Sequence, residues 1–354
     1  MKTIDHQKLR TLTAKLLQAG GSSVAEASSV ADHLVDANLA GHDSHGVGMI
    51  PHYVRNLKAG SLKPNQKHEV VSETGSFAVW DGHGGYGQVI AREAMEWAIG
   101  AARQHGVAVH ALRNTHHIGR VGAYGELCAA SGLTSLHFVN GNSGKPLVAP
   151  YRGREGRFST NPVCIAIPGT ATTKPFILDM ATSRIALGKV RVAHNEGKRV
   201  VEGALIDENG KMTTDPGVIH GPNGVATGAV LPFGEHKGYG LALVCEILAG
   251  AVAGSGTIQP GNPRDRGIVN GMLSFVLDPA RLTAGSFINS EIDAFIQYVK
   301  SVPQADPALP VLIPGEPERI SRAARIEGGI PIDDTTWRQI DEAAASLGIN
   351  FEVA

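Results

Sequence analysis

The spacing of apolar residues changes along this chain, and that change limits most strongly the folds that are open to it. Residues 4–17 and 335–348 repeat apolar side chains at helical spacing, as amphipathic helices do. Between them, short apolar runs such as SLHFV, CIAIP, FILDM and MLSFVLD have the length and composition of strands. The sequence therefore predicts helices at both ends of the chain and a strand-rich middle.

The chain has 354 residues, which is enough for two domains. The segment KAGSLKPNQKHE at 58–69 is polar and contains Gly and Pro, which indicates a domain boundary near residue 65. A long apolar helix is predicted at about 238–253, and a helical tail starts at residue 290. The strand-rich middle therefore covers about residues 66–289.

Charge and cysteine content exclude several classes of protein. Lys and Arg number 32 and Asp and Glu number 33, so a general nucleic-acid binder is not expected. Three widely spaced cysteines form neither a disulfide framework nor a C-x-x-C motif, which favours a reducing compartment. The N-terminus lacks the apolar core of a secretory signal, and the most apolar stretch, 239–253, is too short to cross a membrane. We therefore expect a cytoplasmic protein with no membrane contact.

The segment GHGGYG at 82–87 matches the G-x-G-x-x-G turn of dinucleotide-binding proteins. It follows the strand-like SFAVW and precedes a predicted helix. The next predicted strand, 107–112, runs into Arg113 and Asn114 and not into the acidic residue that would hold a ribose. Two interpretations stay open: a cofactor-binding turn, or a glycine turn that fits a helix against a sheet.

Several of the fifteen histidines lie in or beside glycine-containing loops. Imidazole can donate and accept a proton near neutral pH, so a histidine in such a loop is a candidate acid or base. His45 lies between Ser44 and Gly46 in HDSHG, and His117 lies in HHIGR. These two histidines are the strongest candidates. The clusters FSTNP and FGEHKGYG are candidate sites for anionic or amide groups.

Two other classes of function stay open at this point. A metal-dependent hydrolase or lyase would use the histidine loops with Asp43 or Asp179, but the spacing matches neither H-E-x-x-H nor a Cys/His cluster. Serine-nucleophile chemistry lacks its G-x-S-x-G motif. The other open class is a ligand-binding module without catalytic activity.

Six motifs, taken in order and spacing, resemble a known enzyme family. They are HDSHG (42–46), NTHHIGRVG (114–122), RFSTNP (157–162), LDMATS (178–183), FGEHKGYGLAL (233–243) and PGEPE (314–318). The chain resembles, essentially from end to end, the malate, lactate and ureidoglycolate dehydrogenase family of NAD(P)-dependent 2-hydroxyacid dehydrogenases. Residues 37–55 are most similar to its hydroxycarboxylate dehydrogenase members, which reduce 2-oxo acids such as 2-oxoglutarate, phenylpyruvate and hydroxyphenylpyruvate.

The resemblance implies an α+β fold of two parts. Residues 1–65 and 290–354 would form a helical domain, and residues 66–289 a domain with a central mixed or antiparallel β-sheet flanked by helices. The cofactor, NAD or NADP, would bind without a Rossmann fold, so GHGGYG would be a structural turn. The resemblance further implies a homodimer that acts on a small 2-oxo or 2-hydroxy acid, with malate and lactate as alternative substrates.

The resemblance also implies roles for individual residues. His45 and His117 compete for the role of proton donor, and Ser44 and Asp179 complete the catalytic set. Cofactor contacts are expected at His45, Gly119, Arg120, Val121, Ile177, Leu178, Asp179, Met180, Ala181, His236, Gly267, Gly315, Glu316, Pro317 and Glu318. Substrate contacts are expected at Met49, Arg120, Lys145, Thr160 and Asn161, with Ser159 as a further wall residue.

One position departs from the family pattern. Many members carry an arginine five residues after the motif serine, where it suits a substrate carboxylate, but this chain has Met49. Arg120 and Lys145 are the candidates to replace that cation. An apolar Met49 would suit a substrate with a bulkier or aromatic side chain.

Overall fold

The computed structural model describes residues 2–221, 225–263 and 265–349. The strands are β1 (Lys2–Ile4), β2 (Glu69–Thr74), β3 (Phe77–Asp81), β4 (Val107–Thr115), β5 (Thr134–Gly141), β6 (Val163–Ile167), β7 (Phe176–Met180), β8 (Leu205–Ile206), β9 (Met212–Thr213), β10 (Ala229–Val230), β11 (Asn270–Leu277) and β12 (Ile330–Ile332). The helices are α1 (His6–Ala19), α2 (Val24–Leu39), α3 (Ile50–Lys58), α4 (Gly87–His105), α5 (Gly122–Ala130), α6 (Leu187–Asn195), α7 (His236–Cys245), α8 (Gly285–Lys300), α9 (Glu316–Gly328) and α10 (Asp334–Ala345).

A seven-stranded sheet forms the centre of the molecule, in the order β2-β3-β4-β11-β5-β6-β7. Among the described strands of this sheet, only β3 and β4 pair in parallel, joined through α4, and the other pairs are antiparallel. Helices α4 and α5 cover one face with small and apolar side chains, including Ala94, Met95 and Tyr124. The predicted α+β fold with a mixed sheet is therefore confirmed.

The two ends of the chain share one hydrophobic core. Strand β1 pairs with β12, which places Ile4 opposite Ile330. Leu34 of α2, Tyr53 of α3 and Trp337 of α10 pack in the same buried cluster. Burial of these side chains in one core holds the N-terminal and C-terminal helices together although they are distant in sequence. The boundaries at residues 65 and 290 stay a prediction, and α8 already begins at Gly285.

A small lobe with a core of its own lies beside the main sheet. Strands β8, β9 and β10 form a three-stranded sheet in the order β10-β8-β9. Val190 of α6 packs there with Leu205, Ile219 and Val230. The sequence did not predict a separate core within residues 66–289. This lobe matters for the site because it carries α6.

The helix predicted at 238–253 consists of two segments. Helix α7 ends at Cys245, and Glu246–Val252 continues it with the wider π-helical hydrogen bonding. Glu246 is buried at the start of this segment, where its carboxylate accepts hydrogen bonds from the side chains of Asn140 and Asn161. Among the described residues, no helix is both long and apolar enough to span a membrane.

Candidate active site

The HDSHG segment forms a short 3-10 turn, Asp43–His45, between α2 and α3. Arg325 of α9 donates to both carboxylate oxygens of Asp43, over 2.6 and 2.9 Å. Asn38 donates to Asp43 over 2.6 Å and accepts from the backbone N–H of Val47 over 2.9 Å. Any side chain at Gly46 would collide with Asn38, because an added Cβ would lie 2.2 Å from its amide oxygen. The turn is therefore held rigidly, with His45 half-buried at the cavity wall.

The start of α4 positions the loop that carries His117. A Cβ at Gly87 would lie 2.3 Å from the carbonyl oxygen of His116, so only glycine lets the helix approach this loop. The N–H of His116 donates to the carbonyl oxygen of Gly85 over 2.9 Å. GHGGYG at 82–87 thus serves as a structural turn that packs against the HHIGR loop.

A hydrogen-bonded relay connects four side chains from four parts of the chain. The amide nitrogen of Gln88 donates to the hydroxyl oxygen of Tyr53 over 2.6 Å. Nδ1 of His117, 2.6 Å away, is the acceptor within reach of the Tyr53 proton among the described residues, so we assign the proton to this bond. His117 in turn lies 3.3 Å, through Nε2, from Nδ1 of His45. The order of donors leaves the proton of His45 on Nε2, the ring nitrogen without a hydrogen bond to another described residue.

Burial keeps these groups neutral. Burial, with a smaller contribution from His42, lowers the pKa of His45 to about 4. Burial also moves the pKa of His117 well below its usual value, and neighbouring His45 adds to this effect. The pKa of the Tyr53 hydroxyl is raised by burial well above its usual value. All three side chains are therefore uncharged at neutral pH.

A cavity of about 1640 Å³ opens in front of the two histidines. It collects most of the site residues that the sequence indicated, from the turn, the HHIGR loop, the FSTNP wall and the end of β7. They are Ser44, His45, Met49, His117, Gly119, Val121, Lys145, Ser159, Thr160, Asp179, Met180, Ala181 and Gly267. The carboxylate of Asp179 accepts from the N–H of Gly122 over 2.7 Å and so caps the start of α5.

Other candidate residues do not line this cavity. Arg120 is 1% exposed, donates to Glu126 over 2.6 Å, and faces a second cavity of about 620 Å³ between α2, α4 and α5. Asn161 donates to Glu246 over 2.7 Å and so fixes the FSTNP wall to the π-helical segment. The remaining candidates lie on β7, at the start of α7 and at the start of α9: Ile177, Leu178, His236, Gly315, Glu316, Pro317 and Glu318. Glu318 contacts His42 over 3.0 Å, next to the HDSHG turn.

Cations outnumber acids around the cavity. The cations that line it in the described part of the chain are Arg55, Lys58, Lys145, Arg184, Lys189 and Arg191, and the acids are Asp179 and Glu342. Such a lining favours an anionic ligand. In the same part of the chain, no three His, Cys, Asp or Glu side chains come together in an arrangement that could hold a metal ion.

Tyr53, Gln88 and Arg191 were missed by the sequence analysis. Tyr53 lies on α3 between apolar neighbours, and Gln88 lies in the first turn of α4. A tyrosine on an apolar helical face can indicate a buried hydroxyl that needs a partner, but it does not say which partner. Nothing in the sequence pairs it with His117, which is 64 residues away.

Comparison with known proteins identifies the family. The family model described as malate/L-lactate dehydrogenase matches residues 4–341. The chain belongs to this family. Hydroxycarboxylate dehydrogenase B of Escherichia coli K12 is 44% identical over 350 residues, 98% of this chain and 95% of that protein. L-lactate dehydrogenase of Cupriavidus necator is 38% identical over 345 residues, 98% of both chains.

A solved structure from E. coli, provisionally assigned as a malate/lactate dehydrogenase, has a TM-score of 0.93. It is 44% identical, and the match covers 99% of this chain and 96% of that chain. The resemblance seen in the six motifs is therefore confirmed. This member of the malate/L-lactate dehydrogenase family is an oxidoreductase that acts on hydroxy acids, and its family is NAD(P)-dependent.

The residues of the cavity fit a nicotinamide dinucleotide. The volume of about 1640 Å³ exceeds what one small acid requires, since typical ligand cavities measure roughly 300–1,000 Å³. The excess of cations suits a pyrophosphate. Gly119 and Gly267 line the cavity with positive φ, and each lets a neighbouring side chain, His33 or Ser61, pack closely behind the wall. His45, the Gly119–Val121 loop and the Asp179–Ala181 strand end would hold the cofactor in this dehydrogenase.

Proposed function

We propose that this dehydrogenase reduces 2-oxo acids to 2-hydroxycarboxylates with NADH or NADPH, and that His45 supplies the proton. One observation supports this most directly: Nε2 of His45 is the free end of the Gln88–Tyr53–His117 relay and borders a cavity rich in cations. The reduced nicotinamide supplies the hydride when the cofactor is bound. The relay sets which nitrogen of His45 carries the proton.

His117 acts behind His45 as a positioning residue. Its Nδ1 accepts from Tyr53 and its Nε2 is directed to His45, so both ring nitrogens are in use. His45 has one nitrogen left for the carbonyl oxygen of the substrate. This geometry favours His45 over His117 as the group that protonates the oxygen.

The negative charge of the substrate changes the pKa of His45. Burial holds the pKa of His45 at about 4. A 2-oxo acid brings a carboxylate into the cavity, and a nearby anion favours a charged imidazolium. Substrate binding therefore raises the pKa of His45 towards the range in which a histidine acts as a general acid at neutral pH.

The hydrogen bonds of the relay can also run in the opposite direction. In that arrangement the relay accommodates the additional proton of a charged His45. When His45 also carries a proton on Nδ1, it donates to Nε2 of His117, and His117 then carries its own proton on Nδ1. Tyr53 accepts from His117 and donates to the amide oxygen of Gln88 after the amide rotates. That oxygen is buried and has no hydrogen-bond partner among the described residues in the first order. His45 can then release the Nε2 proton and remain neutral.

The preferred substrates are proposed to be 2-oxoglutarate, phenylpyruvate or hydroxyphenylpyruvate. The similarity to hydroxycarboxylate dehydrogenase B and the apolar Met49 at the cavity wall support this choice. Malate or lactate chemistry is the alternative, since L-lactate dehydrogenase of C. necator is 38% identical. A panel of 2-oxo acids, assayed by loss of absorbance with NADH and with NADPH, decides both substrate and cofactor. Equal kcat/KM for pyruvate and phenylpyruvate, unchanged in Met49→Arg, would contradict the role given to Met49.

The proton donor is tested with three variants of the relay. We expect His45→Ala to lower kcat by about 100-fold or more, as removal of a general acid does, while NADH still binds. His117→Ala and Tyr53→Phe should lower kcat by about tenfold and shift its pH profile, because they change the hydrogen bonding of His45 and not the donor itself. His105→Ala, on the exposed end of α4, is the matched control.

Two outcomes would contradict this assignment. If neither His45→Ala nor His117→Ala lowers kcat by about tenfold while the cofactor binds, the acid is elsewhere. If His117→Ala lowers kcat more than His45→Ala does, and Tyr53→Phe leaves kcat unchanged, the proton donor is not His45 at the end of the relay.

A homodimer and a cytoplasmic location are also part of the proposal. The exposed apolar side chains of α8 support the dimer. Three free cysteines, Cys128, Cys164 and Cys245, support a reducing compartment.

A further inference from the structure

We infer that Arg191, on α6, forms the binding site for the carboxylate of the oxo acid. This inference rests on the proposed function and deepens it, because it names the group that holds the substrate in front of His45. No cation stands at position 49 itself, where this chain has Met49. The cation that borders that position comes instead from the small lobe.

Helix α6 packs directly against the HDSHG turn. A Cβ at Gly188 would lie 2.1 Å from Cβ of Ser44, so the start of the helix touches the turn. Residues three apart share a face of a helix, and Arg191 follows Gly188 on that face. Its Nη2 lies 3.1 Å from the position that a Cβ at Gly48 would occupy. The guanidinium of Arg191 is thus placed beside Gly48 and Met49, at the wall that also carries His45.

Arg191 carries a charge that the described protein does not neutralise. Its Nη1 lies 3.3 Å from Nε2 of His52, which accepts that hydrogen bond, and no acidic side chain among the described residues forms an ion pair with it. Its Nε is buried and has no hydrogen-bond partner in the part of the chain that the structure describes. Burial lowers the pKa of Arg191, and Asp333 only partly opposes this. Asp333 is itself engaged, since it accepts from the N–H of Thr336 over 2.8 Å at the start of α10.

Burial distinguishes Arg191 from the other cations of the cavity. Among the described lining residues, Arg191 is half-buried, whereas the remaining five lysines and arginines are exposed. Lys145 donates to the carbonyl oxygen of Ala226 over 2.5 Å, and Lys58 donates to that of Ser346 over 2.9 Å. Arg120, the other sequence-derived candidate, pairs with Glu126 outside the cavity. A half-buried guanidinium whose Nε is buried without a partner among the described residues is costly, which favours an anion at this site.

The geometry suits a carboxylate in particular. His52 orients the guanidinium through Nη1 and leaves Nε and Nη2, which lie on one edge of the planar group. Nη2 can donate a charge-assisted hydrogen bond to one oxygen of a carboxylate, and a small movement of the side chain would uncover Nε for a second, parallel bond. The carboxylate next to the reacting carbonyl would then be fixed beside Met49, with the oxygen to be protonated turned towards His45.

The test compares Arg191→Met and Arg191→Lys with the control Arg199→Met. Arg199 is an exposed cation in the same part of the chain, 3.5 Å from Asp215 and not part of the cavity. We expect Arg191→Met to raise KM for pyruvate and phenylpyruvate about 100-fold, as truncation of one partner of a buried charged pair does. Arg191→Lys should recover part of this loss, and Arg199→Met should behave as wild type. The dissociation constant for NADH should stay within about twofold in all three.

Two further readouts separate carboxylate binding from a structural effect. Wild type should prefer pyruvate strongly over its uncharged methyl ester, and Arg191→Met should lose this preference. In the double variant Met49→Arg with Arg191→Met, the guanidinium returns from the neighbouring position, and part of the pyruvate affinity should return with it.

The binding of oxamate, an unreactive analogue of a 2-oxo acid, is measured by calorimetry in the presence of NADH. This binding measurement does not depend on turnover of the substrate. Weaker binding of about 100-fold in Arg191→Met supports the site even if wild type reduces no oxo acid, which would overturn the proposed function alone. Unchanged oxamate affinity, or an unchanged preference for acid over ester, overturns the site.

Discussion

The role of a buried imidazole depends on the groups that its two nitrogens contact. His117 and His137 of this chain differ in those contacts. His117 uses both nitrogens in the relay between Tyr53 and His45. His137 contacts the hydroxyls of Ser274 and Ser135, over 2.8 and 2.9 Å, inside the sheet. The same residue type thus belongs to the proposed catalytic relay at one position and packs inside the sheet at the other. The partners, and not the histidine itself, decide which role it has.

We predict that the stability of the protein falls below pH 6.5 because histidines such as His137 are buried in the neutral form. Burial lowers the pKa of His137 to about 3, whereas in the unfolded chain it titrates near 6.5. As the pH falls, the unfolded state therefore binds the proton first. The contribution of His137 is complete above about pH 6.5 and is lost towards pH 3, by about 1.4 kcal/mol per pH unit.

Urea unfolding of wild type and His137→Gln at several values between pH 7 and pH 4 measures this effect. The variant should lose free energy of unfolding less steeply as the pH falls, by the slope of one proton. The exposed His105→Gln serves as the control and should keep the wild-type slope. Equal slopes for wild type and His137→Gln would show that His137 is not buried as a neutral group.

At the scale of elements, contacts between neighbouring segments place the reactive groups. The start of α4 touches the HHIGR loop at Gly87, and the start of α6 touches the HDSHG turn at Gly188. A side chain at either glycine would force the two segments apart. These glycines could be counted in the sequence, but the segment that each one meets could not be predicted, because those segments are far away in the chain.

Two glycine-to-alanine variants should have opposite effects. Gly188→Ala places a Cβ 2.1 Å from Cβ of Ser44, so α6 must move away from the turn. We expect it to lower stability by about 1–3 kcal/mol and to lower kcat/KM at least tenfold. Gly100→Ala, on an exposed position of α4 with open space around it, should raise stability by up to about 1 kcal/mol.

Thermal unfolding and steady-state kinetics of the two variants check this prediction. Gly100→Ala is also the control for activity, which should stay at the wild-type value. A Gly188→Ala variant with wild-type kcat/KM would mean that the contact between α6 and the turn does not position the site.

At the scale of the whole molecule, helix α8 stands out because it buries none of its described residues and leaves three large aromatic side chains exposed. Helix α8 exposes Phe287, Phe295 and Tyr298, the last two by 63% and 75%. Its side chains contact other segments through the hydrogen bonds of Thr170 and Thr173 to Asp293 and the contact between Lys300 and Glu316. An amphipathic helix with an uncovered apolar face favours a protein partner, and we propose a second copy of this chain.

We predict that the protein is a dimer and that the double variant Phe295→Ser with Tyr298→Ser is a monomer. Removal of Phe295 and Tyr298 takes away the two most exposed aromatic side chains that α8 offers to a partner. Size-exclusion chromatography with light scattering measures the mass, and Met212→Ser, at another exposed apolar position, is the control. A wild-type mass equal to that of one chain would contradict the proposal.

The sequence by itself determined the helical ends, the strand-rich middle and the family, and it singled out the two candidate histidines. Apolar spacing predicted the helical ends and the strand-rich middle, since periodicity is a local property of the chain. The six motifs carried the resemblance that the comparison with known proteins confirmed. His45 and His117 were recognisable because each lies in a glycine-containing loop.

Only the tertiary structure decided how these parts meet. It joined His45 to His117, Tyr53 and Gln88, turned Arg120 away from the large cavity, and brought Arg191 beside Met49. The order of the relay and the burial of Arg191 depend on contacts between segments that are distant in sequence. Such contacts arise from the packing of whole elements, which no local pattern of residues specifies.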